Sequence, residues 1–339
     1  MNVTCDLPFG PGAPWLAPLA GYSDLPFRML CRRYGAACCV TEMVSVKGLL
    51  YGGQGSERLL AKSPDDQPLV VQLFGAEPDV FERVMPGLVQ QGYTHFDLNC
   101  GCSVRKVTKS GSGSALMAKP GLLLSVAKVM VDAAGPGRVG VKLRLGIQHG
   151  EENFIEIGQR LADLGVGWLT LHPRTAKQLF GGEADWSRIA ELVRAVPVPV
   201  LASGDLFTAE AAARCLRETG CAGVMFARGA LTDPMIFDRL RALLAGDEPR
   251  PRTALSLAQA ATAHIELSRE LDGTPRAFRA LRAFLPRYAK GLSGIRSLRQ
   301  RLIECQDWDE LLAEAQSIAT LAELPGAAVH DHADLSPEC

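Results

Sequence analysis

Hydrophobic and polar positions along the chain alternate between two textures. Short runs rich in Val, Leu and aromatic residues end in glycine or a polar residue. Stretches with apolar positions every three to four residues follow them. The short runs predict strands at 15–21, 38–44, 68–75, 95–101, 138–146, 168–174, 199–205 and 223–229. The longer period predicts helices at 24–35, 78–92, 121–135, 154–165, 185–196 and 208–220. Thr208 is placed to cap the last of these, and several end in glycine, a favoured helix stop. Between the second and third strands the helix signal is weaker.

Strands that alternate with helices point to a parallel sheet with helical crossovers. Eight of them is the number that closes a (β/α)8 TIM barrel. A doubly wound open sheet is the competing architecture, but it calls for G-x-G-x-x-G after the first strand, and the chain has APLAGYSD there. The α/β barrel is therefore expected over 1–246. A linker-like stretch, GDEPRPRTA, follows, and the pattern then turns wholly helical. A small all-α helical domain is expected over 247–325, with a disordered tail over 326–339. The 339 residues accommodate one large barrel plus such an addition.

Composition narrows the class. Hydrophobic content of 47% and charged content of 22% suit a water-soluble globular protein. The net charge of −1 says nothing by itself about an anionic partner. Ten cysteines invite a disulfide framework, but Cys31, Cys38, Cys39, Cys215 and Cys221 fall in apolar runs, where a thiol behaves as a small hydrophobe. A reducing, cytoplasmic location is expected. The N-terminus lacks a basic region followed by an apolar run, and the apolar run at 121–131 is interrupted by Lys128 and too short for a bilayer, so no membrane association is expected.

Chemistry in a barrel of this kind sits at the C-terminal ends of the strands. Six of the eight ends are polar here: Gln72; Asn99 with Cys100 and Cys102; Lys142 with Arg144; His172 with Arg174; Ser203-Gly204-Asp205; and Ala227-Arg228-Gly229. Alternation puts Lys142 and Arg144 on one face of their strand, and Thr170 and His172 on one face of theirs. A single polar residue at a strand end is ordinarily just solvated, but six such ends are harder to dismiss. SGD and ARG after the last two strands suit a phosphate site, with Gly204 and Gly229 letting backbone approach an anion, although tight turns explain them equally well.

The run Asp97-Leu98-Asn99-Cys100-Gly101-Cys102, followed by Lys106-Val107 and GSALM at 113–117, resembles the signature of the tRNA-dihydrouridine synthases. That signature is N-x-G-C-P, a short spacer, then glycine and small residues. APLAGYSDLPFR, TEM, VQLFG, VKLRLG, HPRT, SGD and ARGAL extend the resemblance in order from about residue 14 to 237, with a weaker echo in RYAKGLSG at 287–294. The chain departs from the pattern at Ser103, where the family has Pro, and at Ser203, where it usually has Asn. It also lacks a His the family carries near 282–284. Without Pro, Cys102 has more conformational freedom.

The resemblance implies an FMN-dependent enzyme that reduces uridine in tRNA to 5,6-dihydrouridine with NADPH. Hydride would reach uracil C6 from the flavin N5, and Cys102 would supply the proton to C5. Asn99 would hold the base. Pro18, Leu19 and Ala20 would line the flavin, Gln72 would bond its edge, Lys142 would sit by its N1/C2 carbonyl, and His172 would lie near it or its phosphate. Ser203, Gly204, Asp205, Ala227 and Arg228 would hold the ribityl-phosphate end, while Arg144 and Arg174 would contact substrate. Cys100 fills the variable position. A C-x-C metal pair is the sharper alternative, but no second Cys or His pair stands nearby at ligand spacing, and no metal is expected.

The helical region adds a separate signal. From Thr274 to Arg301 there are eight Lys or Arg and no Asp or Glu. Arg276, Arg279 and Arg282 recur every three residues and could share a helix face; Arg287, Lys290, Arg296, Arg299 and Arg301 extend the charge. Such a run suits RNA phosphates, though a charge run is commonly only a solvated face. Two other readings stay open: a flavin enzyme of free pyrimidines, of the dihydroorotate or dihydropyrimidine dehydrogenase kind, and a tRNA-binding protein with impaired catalysis. The modified uridine, a preference for NADPH over NADH, and the oligomeric state are not legible in the sequence.

Overall fold

The computed structural model describes residues 5–53 and 55–322, so the expected tail over 326–339, with His330 and His332, lies outside the described residues. Among the described residues nine strands form in chain order: β1 Trp15–Leu16, β2 Cys38–Val40, β3 Val44–Ser45, β4 Leu69–Phe74, β5 His95–Cys100, β6 Val139–Leu143, β7 Trp168–Leu171, β8 Val200–Ala202 and β9 Gly223–Phe226. Every pairing is parallel, β1 pairs with β9, and β2 pairs with β4. The sheet therefore closes into an eight-stranded barrel, with β3 a short extension along the end of β4. Closure excludes the doubly wound alternative. The expected strand over 38–44 is interrupted at 41–43, where Gln72 N–H donates 3.1 Å to the Thr41 hydroxyl oxygen.

Large side chains fill the barrel interior. Trp15 and Trp168 approach to 5.8 Å between ring centroids, and Phe9 of the N-terminal segment stacks on Trp15 at 5.4 Å. Val40, Val70, Leu201 and Met225 complete this layer. Gly140 is obligatory on β6, because a β-carbon there would lie 2.0 Å from the Trp168 ring. Among the described residues the interior is a packed core, with Phe9 stacked against its tryptophan layer.

Helices cover the outside at Leu25–Arg33, Pro78–Gln90, Pro120–Ala134, Phe154–Asp163, Trp186–Ala195 and Ala209–Thr219, matching the six read from periodicity. Thr208 caps the last, accepting from Ala211 N–H at 3.1 Å. Cys31, Cys39 and Cys215 are fully buried in this outer core. After the barrel come helices Ala254–Leu271, Pro275–Phe284, Ile295–Glu304 and Trp308–Ser317. They meet the helix Leu25–Arg33 through aromatic rings, with Phe27 5.2 Å from Phe284 and 5.4 Å from His264. Burial pushes the His264 pKa down to about 3, so the ring is neutral, and its Nδ1 lies 2.9 Å from the Tyr288 hydroxyl. Among the described residues no helix is long and apolar enough to cross a membrane.

Candidate active site

A cavity of about 860 Å³, counting space open to solvent at its mouth, occupies the C-terminal end of the barrel. Parallel strands deliver their last residues to one rim, which is why residues far apart in sequence meet there. Pro18, Leu19, Ala20, Gln72, Asn99, Cys102, Lys142, Arg144, His172, Ser203, Gly204, Asp205, Ala227 and Arg228 all line it. Arg174 does not line it, and neither do Arg276, Arg279, Arg282, Arg287 and Lys290 of the helical region. Met43, Phe180, Leu206, Phe207 and Met225 also form its walls. Sequence reasoning missed these because an apolar residue in a loop, such as Met43, Phe180, Leu206 or Phe207, carries no periodic signal, and Met225 reads as an ordinary core position of β9.

The loop that follows β5 is held tightly. Asn99 Oδ1 accepts from Cys102 N–H at 2.9 Å and Gly101 N–H at 3.2 Å. Ser114 N–H donates to the Cys102 carbonyl at 2.8 Å. Gly113 has φ of +63°, and a β-carbon on it would lie 2.6 Å from that carbonyl, so the glycine lets the returning chain close over Cys102. Cys102 is 4% exposed and faces the cavity. Cys100 is fully buried in the outer core, where burial raises its thiol pKa well above the ordinary range.

Behind this loop the amides are chained. Asn99 Nδ2 donates to Gln72 Oε1 at 2.9 Å, and Gln72 Nε2 donates to Asp97 Oδ2 at 2.7 Å. Asp97 Oδ1 is buried without a hydrogen-bond partner. Burial pushes the Asp97 pKa up to about 7, against the opposing pull of the Gln72 hydrogen bond and Lys142. Lys142 stands beside Asn99 in the ladder between β5 and β6.

Three buried arginines brace the loops around the mouth, of which Arg144 and Arg228 line the cavity and Arg174 stands behind it. Arg144, 2% exposed, donates to Gly101 O at 2.8 Å, Thr175 O at 3.0 Å and Leu179 O at 2.7 Å. It thereby ties the Cys102 loop to the loop after β7. Arg174 forms a two-bond pair with Asp205 at 2.8 and 2.7 Å and also reaches the carbonyls of Gly181 and Gly182. Burial opposes ionisation of Asp205, but the Arg174 hydrogen bonds and the Ala184 N–H outweigh it and hold the carboxyl below its ordinary pKa. Arg228 lies over Phe207 at 4.8 Å and Phe180 at 4.9 Å. Phe180 is thus packed between cations, on a loop in which Leu179 adopts a left-handed φ of +54°.

Burial, with the charges of Arg144, Lys142, Arg174 and Arg228, pushes the His172 pKa well below its ordinary value. Arg174 Nη1 lies 3.3 Å from His172 Nε2. A guanidinium only donates, so Nε2 accepts and the ring proton sits on Nδ1. Glycine at 204 and 229 is required by the chain itself. A β-carbon at Gly204 would lie 2.8 Å from His172, and one at Gly229 would lie 2.6 Å from the Leu206 carbonyl. Close packing between the strand ends is by itself a sufficient reason for both glycines.

The basic residues of the helical region divide. Arg276, Arg279, Arg296 and Arg299 are exposed. Arg282 turns inward, stacking on Phe278 and donating to the carbonyls of Ile303 and Cys305 at 2.7 and 2.8 Å, the end of the helix Ile295–Glu304. Arg287 donates to the Tyr22 hydroxyl at 2.6 Å and packs on its ring, joining the helical region to the barrel. Arg301 pairs with Glu314. The three-residue stripe at 276, 279 and 282 is therefore a pair of exposed cations and a helix cap.

Among the described residues, the group of Cys, His and acidic side chains close enough to share a metal ion is Cys5, Asp6 and His95. His95 opens β5, so the group lies at the other end of the barrel, and neither Cys100 nor Cys102 belongs to it.

The family model described as Dihydrouridine synthase (Dus) matches residues 15–323 of the chain. A relative in Synechocystis named probable tRNA-dihydrouridine synthase 1 is 37% identical over 90% of this chain and 86% of its own length. One in Treponema pallidum, named probable tRNA-dihydrouridine synthase, is 35% identical over 89% and 92%. The tRNA-dihydrouridine synthase B of Xanthomonas axonopodis is 34% identical over 81% and 83%.

Proposed function

The chain belongs to the dihydrouridine synthase family, and from that premise we propose that it reduces uridine in tRNA to 5,6-dihydrouridine, with FMN in the barrel mouth and NADPH as reductant. The observation that carries this reading is the convergence of the Asn99–Cys102 loop with Gln72, Lys142 and His172 on one cavity. Met43, Leu206, Phe207 and Met225 give it apolar walls suited to a flat ring system. Lys142 offers a cation for an electron-rich ring edge, and Arg228, beside Ser203 and Gly204, offers one for a phosphate. These residues fit FMN.

Bound FMN would take a hydride from NADPH and deliver it to uracil C6. The chain's own task is then to add a proton at C5. An ordinary thiol keeps its proton at neutral pH and can release it to a developing carbanion, which is the role of Cys102. Asn99 fixes the Cys102 peptide and, with Gln72, presents amide edges to ring carbonyls. His172, neutral with its proton on Nδ1, adds a donor without adding charge to a wall already rich in cations. The thiolate left on Cys102 regains its proton from solvent at the open mouth.

A tRNA uridine reaches such a cavity only when flipped from its stack. Arg276, Arg279, Arg296 and Arg299, exposed on the helices over 275–304, supply phosphate contacts for that purpose, and Lys290 lies between them. Arg282 and Arg287 support the same surface by anchoring it. A tRNA substrate puts the protein in the cytoplasm. The test is a position-resolved dihydrouridine assay on unmodified tRNA with FMN and NADPH, run beside Cys102→Ala. Dihydrouridine at a defined position, sharply reduced in the variant, is expected. NADPH oxidation by the flavin-loaded protein with no dihydrouridine on any tRNA would end the reading and favour a free pyrimidine.

A further inference from the structure

We propose that Asp97 is a positioning residue for the thiol: its carboxyl oxygen terminates a one-way chain of hydrogen bonds, through Gln72 and Asn99, that holds the Cys102 peptide and keeps the side chain aimed into the cavity. The proposal rests on the reading of Cys102 as the proton donor. Its direction follows from donor and acceptor chemistry. The backbone N–H groups of Gly101 and Cys102 can only donate, so Asn99 must turn Oδ1 toward them, at 3.2 and 2.9 Å. That turns Asn99 Nδ2 to Gln72 Oε1 at 2.9 Å, and so turns Gln72 Nε2 to Asp97 Oδ2 at 2.7 Å. Neither amide chooses its own orientation; each is set by its neighbour. The chain closes only on an acceptor, and Asp97 supplies it.

Stability alone gives a poor reason for a carboxyl at this position. Asp97 is 2% exposed, and its second oxygen has no hydrogen-bond partner. Its pKa of about 7 reflects the cost of ionising it there. Without the acceptor, the Gln72 amide keeps a buried donor with no partner and is free to rotate. Asn99 then loses the stronger of its two Nδ2 contacts, keeping only the one to Met43 Sδ at 3.7 Å beside its backbone donors, and its hold on the N–H side of the Cys102 peptide weakens. Ser114 N–H would still hold the carbonyl side, so loosening is expected at Cys102 and not throughout the barrel.

The test compares wild type, Asp97→Ala and Asp97→Asn. An asparagine retains an acceptor oxygen, whereas alanine removes it. Each protein is treated with iodoacetamide, and alkylation of Cys102 is followed by mass spectrometry against Cys100, two residues away and fully buried. Asp97→Ala should speed Cys102 alkylation at least about fivefold with Cys100 still protected, and Asp97→Asn should stay within about twofold of wild type. In anaerobic half-reactions, reoxidation of the reduced enzyme by tRNA should slow about tenfold in Asp97→Ala and recover in Asp97→Asn. Flavin reduction by NADPH should change by less than about threefold in both. If Asp97→Ala does not fold, Asp97→Leu removes the same acceptor while filling the volume. Unchanged Cys102 protection in the acceptor-free variant would overturn the proposal. So would equal loosening in Asp97→Asn, or joint exposure of Cys100 and Cys102. The alkylation readout needs no substrate. A wild-type protein that makes no dihydrouridine would therefore end the functional reading and leave the alkylation ratio to decide the hydrogen-bond chain.

Discussion

The arginines of the barrel mouth and those of the helical region look alike in sequence and differ in what they touch. Arg144, Arg174 and Arg228 are each less than 10% exposed, and their guanidinium groups are committed to carbonyls, to Asp205 or to aromatic rings. Arg276, Arg279, Arg296 and Arg299 stand in solvent. A buried guanidinium must satisfy its donors within the protein, so it becomes a strut between loops. An exposed one keeps its donors available to a partner. On the proposed reading, catalysis in the mouth would depend on small groups such as Cys102 and Asn99, whose loop Arg144 braces, while affinity for a polyanion would belong to the outer helices.

The largest effect that sharpens this contrast is loss of the proton donor. Cys102→Ala should lower dihydrouridine formation about 10³-fold, the scale of general acid catalysis, while flavin content and tRNA affinity stay within about twofold. Next comes removal of a strut. Arg174→Ala leaves the Asp205 carboxylate without its two-bond partner. Urea unfolding should show a loss of about 3 kcal/mol, somewhat below the full cost of a broken buried pair because Asp205 retains 20% exposure. A loss below about 0.5 kcal/mol would mean that this arginine is not a strut, and the contrast between the two regions would fail.

Much of the fold was legible because a parallel barrel imposes one period on strands and another on helices. The eight barrel strands and six covering helices follow from that alternation, and the mouth residues follow from the common direction of the strands. What stayed hidden depends on partners far away in sequence. The break between β2 and β3 arises where the Thr41 hydroxyl meets Gln72 N–H, 31 residues on. Arg174 sits two residues beyond His172, yet its pairing with Asp205 takes it out of the cavity lining. Arg282 keeps the spacing of Arg276 and Arg279, yet the carbonyl of Cys305 captures it. Spacing assigns a residue to a face of its own element and says nothing about which neighbour that face will meet.

Asp97 provides a pH-dependent test within the mouth. Its folded pKa of about 7 lies above the 3.8 of the ordinary group, so the folded protein binds this proton more tightly than the unfolded chain does. The ionised carboxyl therefore opposes folding. Its cost is absent below about pH 4, grows as pH rises, and is fully present above about pH 7. Asp97→Asn should stabilise the protein by about 2 kcal/mol at pH 8 and by little at pH 4.5. The gain falls short of the whole shift because the new amide places a donor where Oδ1 has no partner. Equal stabilities of the two proteins at pH 8 would show that Asp97 is accommodated without cost.

The smallest effects separate the exposed arginines from the inward one. Replacing both Arg276 and Arg279 with alanine should weaken tRNA binding about tenfold at moderate salt and reduce the slope of log affinity against log salt by about one to two, with stability unchanged within about 0.5 kcal/mol. Arg282→Ala should do the reverse. It removes the donor to the Ile303 and Cys305 carbonyls and the stacking on Phe278, so unfolding should register a loss of about 1 kcal/mol. The salt slope should stay at its wild-type value, because a guanidinium already bonded to the end of a helix releases no counterion from RNA. If Arg282→Ala shifts the slope as much as the Arg276 and Arg279 pair does, the cap opens when tRNA binds, and inward and outward arginines are then one surface in two states.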